Sequence, residues 1–233
     1  MRNVAGVIRE CRSFTSSLYA SRPLFALDLR IGVVRLIAMA ENDEPIEEEE
    51  EESQAEREAR RRYVLANVRQ YPDAVLRLKA REVEEFDATL AALVERMVLV
   101  MKNGAGVGLA APQLGVLERV LVHQADEDAE PVALVNPRIV EHSDESDLVE
   151  EGCLSLGAAT VRVEVERPIS VTVDARSPSG QELRVEADGL RARVIQHEID
   201  HLDGVLILDR TTPEQRRRAL GQLRPQPVLG ALV

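Results

Sequence analysis

The sequence predicts an α+β fold in which antiparallel β-sheets pack around one central helix. Apolar and polar side chains alternate with the two-residue period of half-buried strands over 161–165 and 169–174. Ser177, Pro178, Ser179 and Gly180 then form a turn into a short returning strand at 182–185. The helix is the stretch containing QHEIDH, residues 196–201, flanked by Asp188 as a candidate start and Gly204 as a stop. His197 and His201 are four apart and therefore share one side of that helix, roughly 6 Å from each other, so both imidazoles can converge on one metal ion. Leu190 and Val194 continue their stripe and predict that it faces the interior. Glu198 is placed to reach a water on such a metal without being a ligand, the arrangement of HExxH zinc hydrolases. A chance match on an exposed helix is the competing reading.

Size and composition bound the rest. The chain has 233 residues, 45% apolar, enough for one core plus a tail. A formal charge of −12 argues against a general nucleic-acid surface, although a local basic patch near ribosomal RNA is compatible with it. Cys11 and Cys153 are the only cysteines, which does not suggest a disulfide scaffold. No uncharged apolar run approaches the roughly 20 residues that span a bilayer. A soluble intracellular protein is expected.

Taken in order, 1–38 carry six arginines against Glu10 and Asp28, which suits an organellar targeting peptide. Met39 is equally readable as the true start, and an extra packed element is a third reading. The leader after it contains six consecutive glutamates, Glu47–Glu52, and reads as disordered. Residues 1–59 are thus assigned to an extension, 60–222 to one domain and 223–233 to a tail.

Residues 63–68 form a short apolar stretch, and Tyr71, Pro72 and Asp73 a turn. Phe86, Leu90, Leu93, Val94, Met97 and Met101 keep helical spacing, and Asn103, Gly104 and Gly106 end that helix. GVGLAAPQ, 106–113, reads either as a tight buried turn or as backbone lying close against a ligand, with the Gln113 amide as a donor beside apolar walls. Strand signals cover 119–123 and 133–140, with His123 as a strand residue making a local hydrogen bond and His142 in a loop. An acidic loop leads to EGCLS, 151–155, whose Cys153 can be an inert thiol, a nucleophile or a metal ligand. Arg167 and Pro168 mark a break between strands. After Gly204, Leu206 and Leu208 suggest a last strand or extended arm. Thr212, Pro213 and Gln215 read as cap, first residue and box partner of a terminal helix through Leu220, and Pro225 and Pro227 break up the tail.

In this order, GVGLAAPQ, EGCLS and QHEIDH closely resemble the three signature motifs of the peptide deformylases. The resemblance covers about 62–220 and includes the YPD turn, EADGL before the metal helix and HLDG after it. It implies a peptide deformylase-like fold in which Cys153, His197 and His201 bind one metal ion per chain. That ion is usually Fe2+ in the cell, with Zn2+ or Ni2+ also accommodated. It implies Glu198 as general base and acid toward water on the metal, and Gln113 with the backbone N–H of Leu154 polarising the formyl oxygen. Val107, Gly108, Leu109, Ile195 and His197 would form the methionine pocket. The implied reaction removes formyl from the N-terminal formylmethionine of nascent polypeptides and releases formate. The resemblance implies transient proximity to ribosomes, no DNA or membrane partner, a monomer, and a cytoplasmic location, or an organellar one if 1–38 are a targeting segment. The run CLSLGAAT departs from the family, with Gly157 in place of a proline and Thr160 near the position of a peptide-holding arginine; Arg162 is the candidate substitute. A different metal-dependent amidase, an HExxH endopeptidase and a noncatalytic metal-stabilised module are the rival readings. The last would need neither Glu198 nor Gln113.

Overall fold

The computed structural model describes residues 53–126 and 128–223. The expectations for Cys11, for 1–38, for the glutamate run and for Pro225 and Pro227 lie outside the described residues.

Helix α1, Gln54–Asn67, starts within the stretch assigned to the extension. Ser53 caps it reciprocally: its hydroxyl accepts from Glu56 N, and its own N–H donates to the Glu56 carboxylate at 2.9 Å. Only Val64 is buried along α1, so no apolar period marks the helix, and good helix formers such as Ala, Arg and Glu carry it. Helix α2, Ala88–Asn103, follows Asp87, whose carboxylate caps the N–H groups of Thr89 and Leu90. Leu90, Met97 and Met101 give it a buried face. Phe86 precedes the helix, and Gly104 ends it.

Seven strands follow: β1 Gly108–Ala110, β2 Val120–His123, β3 Val132–His142, β4 Ser146–Gly152, β5 Arg162–Pro168, β6 Ser170–Arg176 and β7 Glu182–Asp188. A five-stranded sheet has the order β1-β2-β3-β6-β7, and β4 pairs with β5 separately. Every pairing between these seven strands is antiparallel. The large sheet separates two cores because its side chains alternate. Leu109 and Val122 pack with α2, whereas Ala110 and Leu121 pack with α3, Gly189–Leu202. Helix α3 also touches β5, so it lies between the two sheets. A third core gathers Leu156, Val163, Val165, Leu206 and Leu208 with Ala219 of α4, Pro213–Leu223.

Several local expectations change. The supposed acidic loop before EGCLS is β4. Its first five residues are exposed, so it has no inward apolar signal and is defined by its ladder to β5. β5 continues through Arg167 and Pro168, leaving Ile169 as the connection to β6. His142 ends β3 rather than sitting in a loop. Leu206 and Leu208 are buried around a short 3-10 turn, Ile207–Asp209, not a strand, because Asp209 turns back to accept from Leu206 N at 2.9 Å. Asp188 occupies the start of α3 without a side-chain cap bond. Gln215 donates to Glu164 and accepts from its N–H instead of closing a capping box, while the Thr212 hydroxyl accepts from Gln215 N.

Two left-handed positions make opposite predictions. Ala105 is exposed with φ +47°, so Ala105→Gly is expected to raise stability by about 0.5–1 kcal/mol. Gly204 ends α3 at φ +74°, and an added Cβ would lie 2.6 Å from the Arg77 carbonyl oxygen. Gly204→Ala is therefore expected to lower stability by roughly 2 kcal/mol or more. Urea midpoints at constant m-value read both, and a shift of the same sign in the two variants would refute the assignment of strain.

Candidate active site

Helix α3 presents His197 and His201 on successive turns, ring centroids 5.0 Å apart. β4 ends at Gly152 and delivers Cys153 to the same place. One ligand atom from each of Cys153, His197 and His201 lies within 4.8 Å of the others, the metal-capable cluster among the described residues. Cys153 Sγ is 3.2 Å from His201 Nε2. One sulfur and two imidazoles in this spacing fit a single divalent ion with a position left open.

The turn carrying Cys153 is fixed from behind. The Cys153 carbonyl accepts from the N–H groups of Leu156 and Ala159. Gln70 bridges the same turn, donating to the Leu154 carbonyl at 3.0 Å and accepting from Ala158 N at 3.3 Å. Gln113 is buried beside it. Its carbonyl accepts from Ala110 N at 2.8 Å, which turns its amide nitrogen toward Ser155 Oγ at 3.2 Å and Cys153 Sγ at 3.8 Å. The donor thus faces the ligand cluster.

Two glutamates in the site have opposite environments. Glu198 is 4% exposed, and its Oε2 has no hydrogen-bond partner among the described residues. Burial pushes its carboxyl up to about 7, against the attraction of His197 and Arg167. Glu151 is also buried, which alone would raise its carboxyl, but hydrogen bonds and charges from His197 and Arg167 bring it down to about 2. It accepts from His197 Nδ1 at 2.9 Å and from Arg167 at 2.6 and 3.0 Å, and Arg193 adds a donor at 2.7 Å. With Nδ1–H bound to the carboxylate, His197 Nε2 is the nitrogen that could serve a metal ion, a usual device at metal sites. Burial opposes charge on His197, yet Cys153 and Glu151 hold it well above the ordinary histidine range; a bound divalent ion would displace the extra proton. His201 lies well below that range through burial and the neighbouring His197 charge.

Cys153 and His197 border a cleft of about 320 Å3, with His201 buried behind them. Val107 and Gly108 line it, as do Gln113, Leu154 and Glu198. Leu109 and Ile195 do not: both are fully buried, Leu109 in the core beneath α2 and Ile195 in the core beneath α3. Apolar wall comes instead from Val194 and Leu190. Leu190 is 55% exposed at the rim, so the histidine stripe opens onto the cleft instead of ending in the interior. An open groove of about 870 Å3 beside Phe86, Arg138 and Arg184 is larger but holds no metal-capable cluster. His123 is buried in β2 without a partner on either ring nitrogen among the described residues, which corrects the expected local bond; burial and then the Arg191 charge push it down to about 4. His142 is exposed, with Nδ1 3.0 Å from the Ser143 carbonyl.

Sequence reasoning missed Gln70, Arg167, Asp200 and Arg193. Arg167 carried a readable signal: it follows Val163 and Val165 in the inward phase of β5, where a charge needs a buried partner.

The polypeptide deformylase family matches residues 65–217. The peptide deformylase of Thermodesulfovibrio yellowstonii is 41% identical over 155 residues, covering 65% of this chain and 92% of that protein. That of Thermotoga neapolitana is 46% identical over 152 residues, with 65% and 90% covered. Among solved structures, the peptide deformylase of Legionella pneumophila aligns with a TM-score of 0.64 at 38% identity, covering 67% of this chain and 91% of that one. The peptide deformylase of Synechococcus elongatus in complex with actinonin aligns with a TM-score of 0.63 at 38% identity, covering 66% and 85%. With its motifs in the family's order, its ligand atoms gathered and two thirds of its length matched, the chain belongs to the peptide deformylase family of metallohydrolases.

Proposed function

We propose that this chain removes the formyl group from the N-terminal formylmethionine of nascent polypeptides, with Cys153, His197 and His201 as ligands and Glu198 as the proton carrier. The observation that carries the reading is the cluster of three ligand atoms within 4.8 Å beside a buried carboxylate with an open oxygen and a pKa near 7. When bound, a divalent ion supplies Lewis acidity and lowers the pKa of water by several units. Glu198 takes a proton from the attacking water, because its pKa is close to the operating pH. The Gln113 amide and the Leu154 N–H donate to the oxyanion that develops on the formyl oxygen; losing one such donor commonly costs about 3 kcal/mol. Protonated Glu198 then delivers its proton to the departing amine, which leaves formate and a free amino terminus.

Shape supplies selectivity. A Cβ on Gly108 would meet Val194 Cγ1 at 2.8 Å and the Glu198 carboxyl carbon at 3.0 Å, and one on Gly106 would meet Leu154 Cδ1 at 2.9 Å. The space there suits formyl and excludes bulkier acyl groups. Val107, Leu190 and Val194 take the methionine side chain, with Leu109 and Ile195 as backing. Arg162 lines the cleft opposite Glu150, 3.6 Å away, and grips the peptide backbone where Thr160 cannot. Fe2+ is the native ion in this reading, with Zn2+ or Ni2+ able to replace it, since a thiolate with two imidazoles suits all three. The catalytic domain spans 60–222, with α1 reaching back to Gln54. It acts as a monomer near ribosomes, in the cytoplasm or in an organelle; no helix among the described residues is long and apolar enough to cross a membrane.

Formyl-Met-Ala-Ser should release formate with iron-loaded protein prepared without oxygen, and Glu198→Ala should lose about 10²–10⁴-fold while keeping its metal. Acetyl-Met-Ala-Ser should turn over far more slowly, and equal rates would refute the size filter. Cleavage of internal bonds in blocked peptides would favour an endopeptidase instead.

The pH profile gives a separate check. Glu198 must be ionised to accept a proton, so kcat/KM should fall about tenfold per unit on the acid side. The limb should lie between the ordinary 4.5 and about 7, because a bound cation favours the carboxylate. Residual activity in Glu198→Gln that kept the same limb would assign it to another group.

A further inference from the structure

We propose that Arg210, outside the cleft, is a positioning residue for the metal-ligating nitrogen of His197, acting through Asp200, Arg167 and Glu151. The inference rests on reading His197 as a ligand. His197 Nδ1 is 2.9 Å from Glu151 Oε2, and Arg167 holds Glu151 through two nitrogens at 2.6 and 3.0 Å. The third guanidinium nitrogen of Arg167 donates to Asp200 Oδ2 at 2.9 Å. Arg210 closes the series with two bonds to Asp200, at 2.6 and 3.2 Å.

Exposure separates the last member from the others. The side chains of Glu151, Arg167 and Asp200 are 6%, 4% and 10% exposed, whereas that of Arg210 is 49% exposed and borders a separate cavity of about 380 Å3. Arg210 also donates to Asp200 Oδ1, the carboxylate oxygen that Arg167 does not reach. Arg167 is shared between two buried carboxylates and has no spare nitrogen. If Arg210 is removed, Asp200 keeps a buried charge with Arg167 as its remaining cation, and the balance of Arg167 between its two partners moves toward Asp200. The fork on Glu151 then loosens, and with it the acceptor that orients His197. Uncompensated buried charge is strongly unfavourable, so the adjustment is transmitted along the series.

The test uses the full chain and reads ion affinity directly, by chelator competition with Zn2+ at fixed pH, beside kcat and KM for formyl-Met-Ala-Ser. Direct outer-shell partners typically matter by about 10–100-fold in metal affinity, so Glu151→Gln should fall in that range and the more remote Arg210→Ala should lose about 3–10-fold. KM should stay within about twofold, because Arg210 does not line the cleft, while kcat falls with site order. Arg210→Lys should recover part of the affinity, and added millimolar guanidinium should restore Arg210→Ala but not Glu151→Gln. An Arg210→Ala protein that holds Zn2+ as tightly as the wild type overturns the inference whatever its turnover. So does a loss that tracks lowered thermal stability and resists rescue by both guanidinium and lysine. A wild-type protein that holds the ion yet releases no formate would instead remove the deformylase reading and leave the positioning role standing.

Discussion

Glu151 is a carboxylate withdrawn from water and supplied with donors from His197, Arg167 and Arg193. A buried charge of this kind is tolerated only when its lone pairs are filled, so the elements bearing those donors must arrive together. Arg167 comes from β5, while Arg193 and His197 come from α3. The single carboxylate therefore ties the two-stranded sheet to the helix. It stands two residues before Cys153, on the strand that delivers the thiol. Its position thus sets both the orientation of one imidazole and its separation from the sulfur.

The same residue type about five decades of acidity away does different work. Glu198 is as buried as Glu151 but lacks a donor on Oε2, and the contrast of about 7 against about 2 follows from that difference. Their contributions to stability run in opposite directions. Glu151, depressed below its ordinary 4.5, stabilises the fold above that value, and this is lost as pH falls toward about 2. Glu198, raised above 4.5, favours the metal-free fold at low pH and ceases to do so as pH rises through about 7. The lack of a donor on Oε2 that costs stability near neutrality is the same feature that leaves this oxygen open to a proton.

The sequence was most legible where one residue type has one plausible use. Two histidines at helical spacing with an intervening glutamate mark α3 and the pair of imidazoles it presents, and alternation marks β5 and β6. It was least legible where partners are distant in sequence. Arg167 and Asp200 have meaning only once β5 lies against α3, and Gln70 only once the Cys153 turn is folded over it. β4 and α1 escaped because neither buries a periodic apolar face. β4 is held by its ladder, α1 by helix propensity, a capping box and one anchoring valine. Leu109 and Ile195 lie behind the cleft wall for a related reason. Motif proximity does not say which side of a strand or helix faces the cleft, and alternation turns Leu109 toward α2 while Gly108 faces Glu198.

The turn after Cys153 joins this departure from the family to the mechanism. Gly157, Ala158 and Ala159 take φ values of +64°, +56° and +63°, and each alanine there costs roughly 1–2 kcal/mol. The glycine is accommodated without that penalty, while the alanines need compensation from their surroundings. Both pack against the α2 core, Ala158 N donates to Gln70, and Ala159 N donates to the Cys153 carbonyl. Gln70 bonds in addition to the Leu154 carbonyl, on the residue whose N–H is the proposed oxyanion donor. The left-handed turn and its glutamine clamp therefore hold the Cys153 sulfur and the adjacent Leu154 N–H in one frame, the preorganisation that the proposed mechanism requires of both.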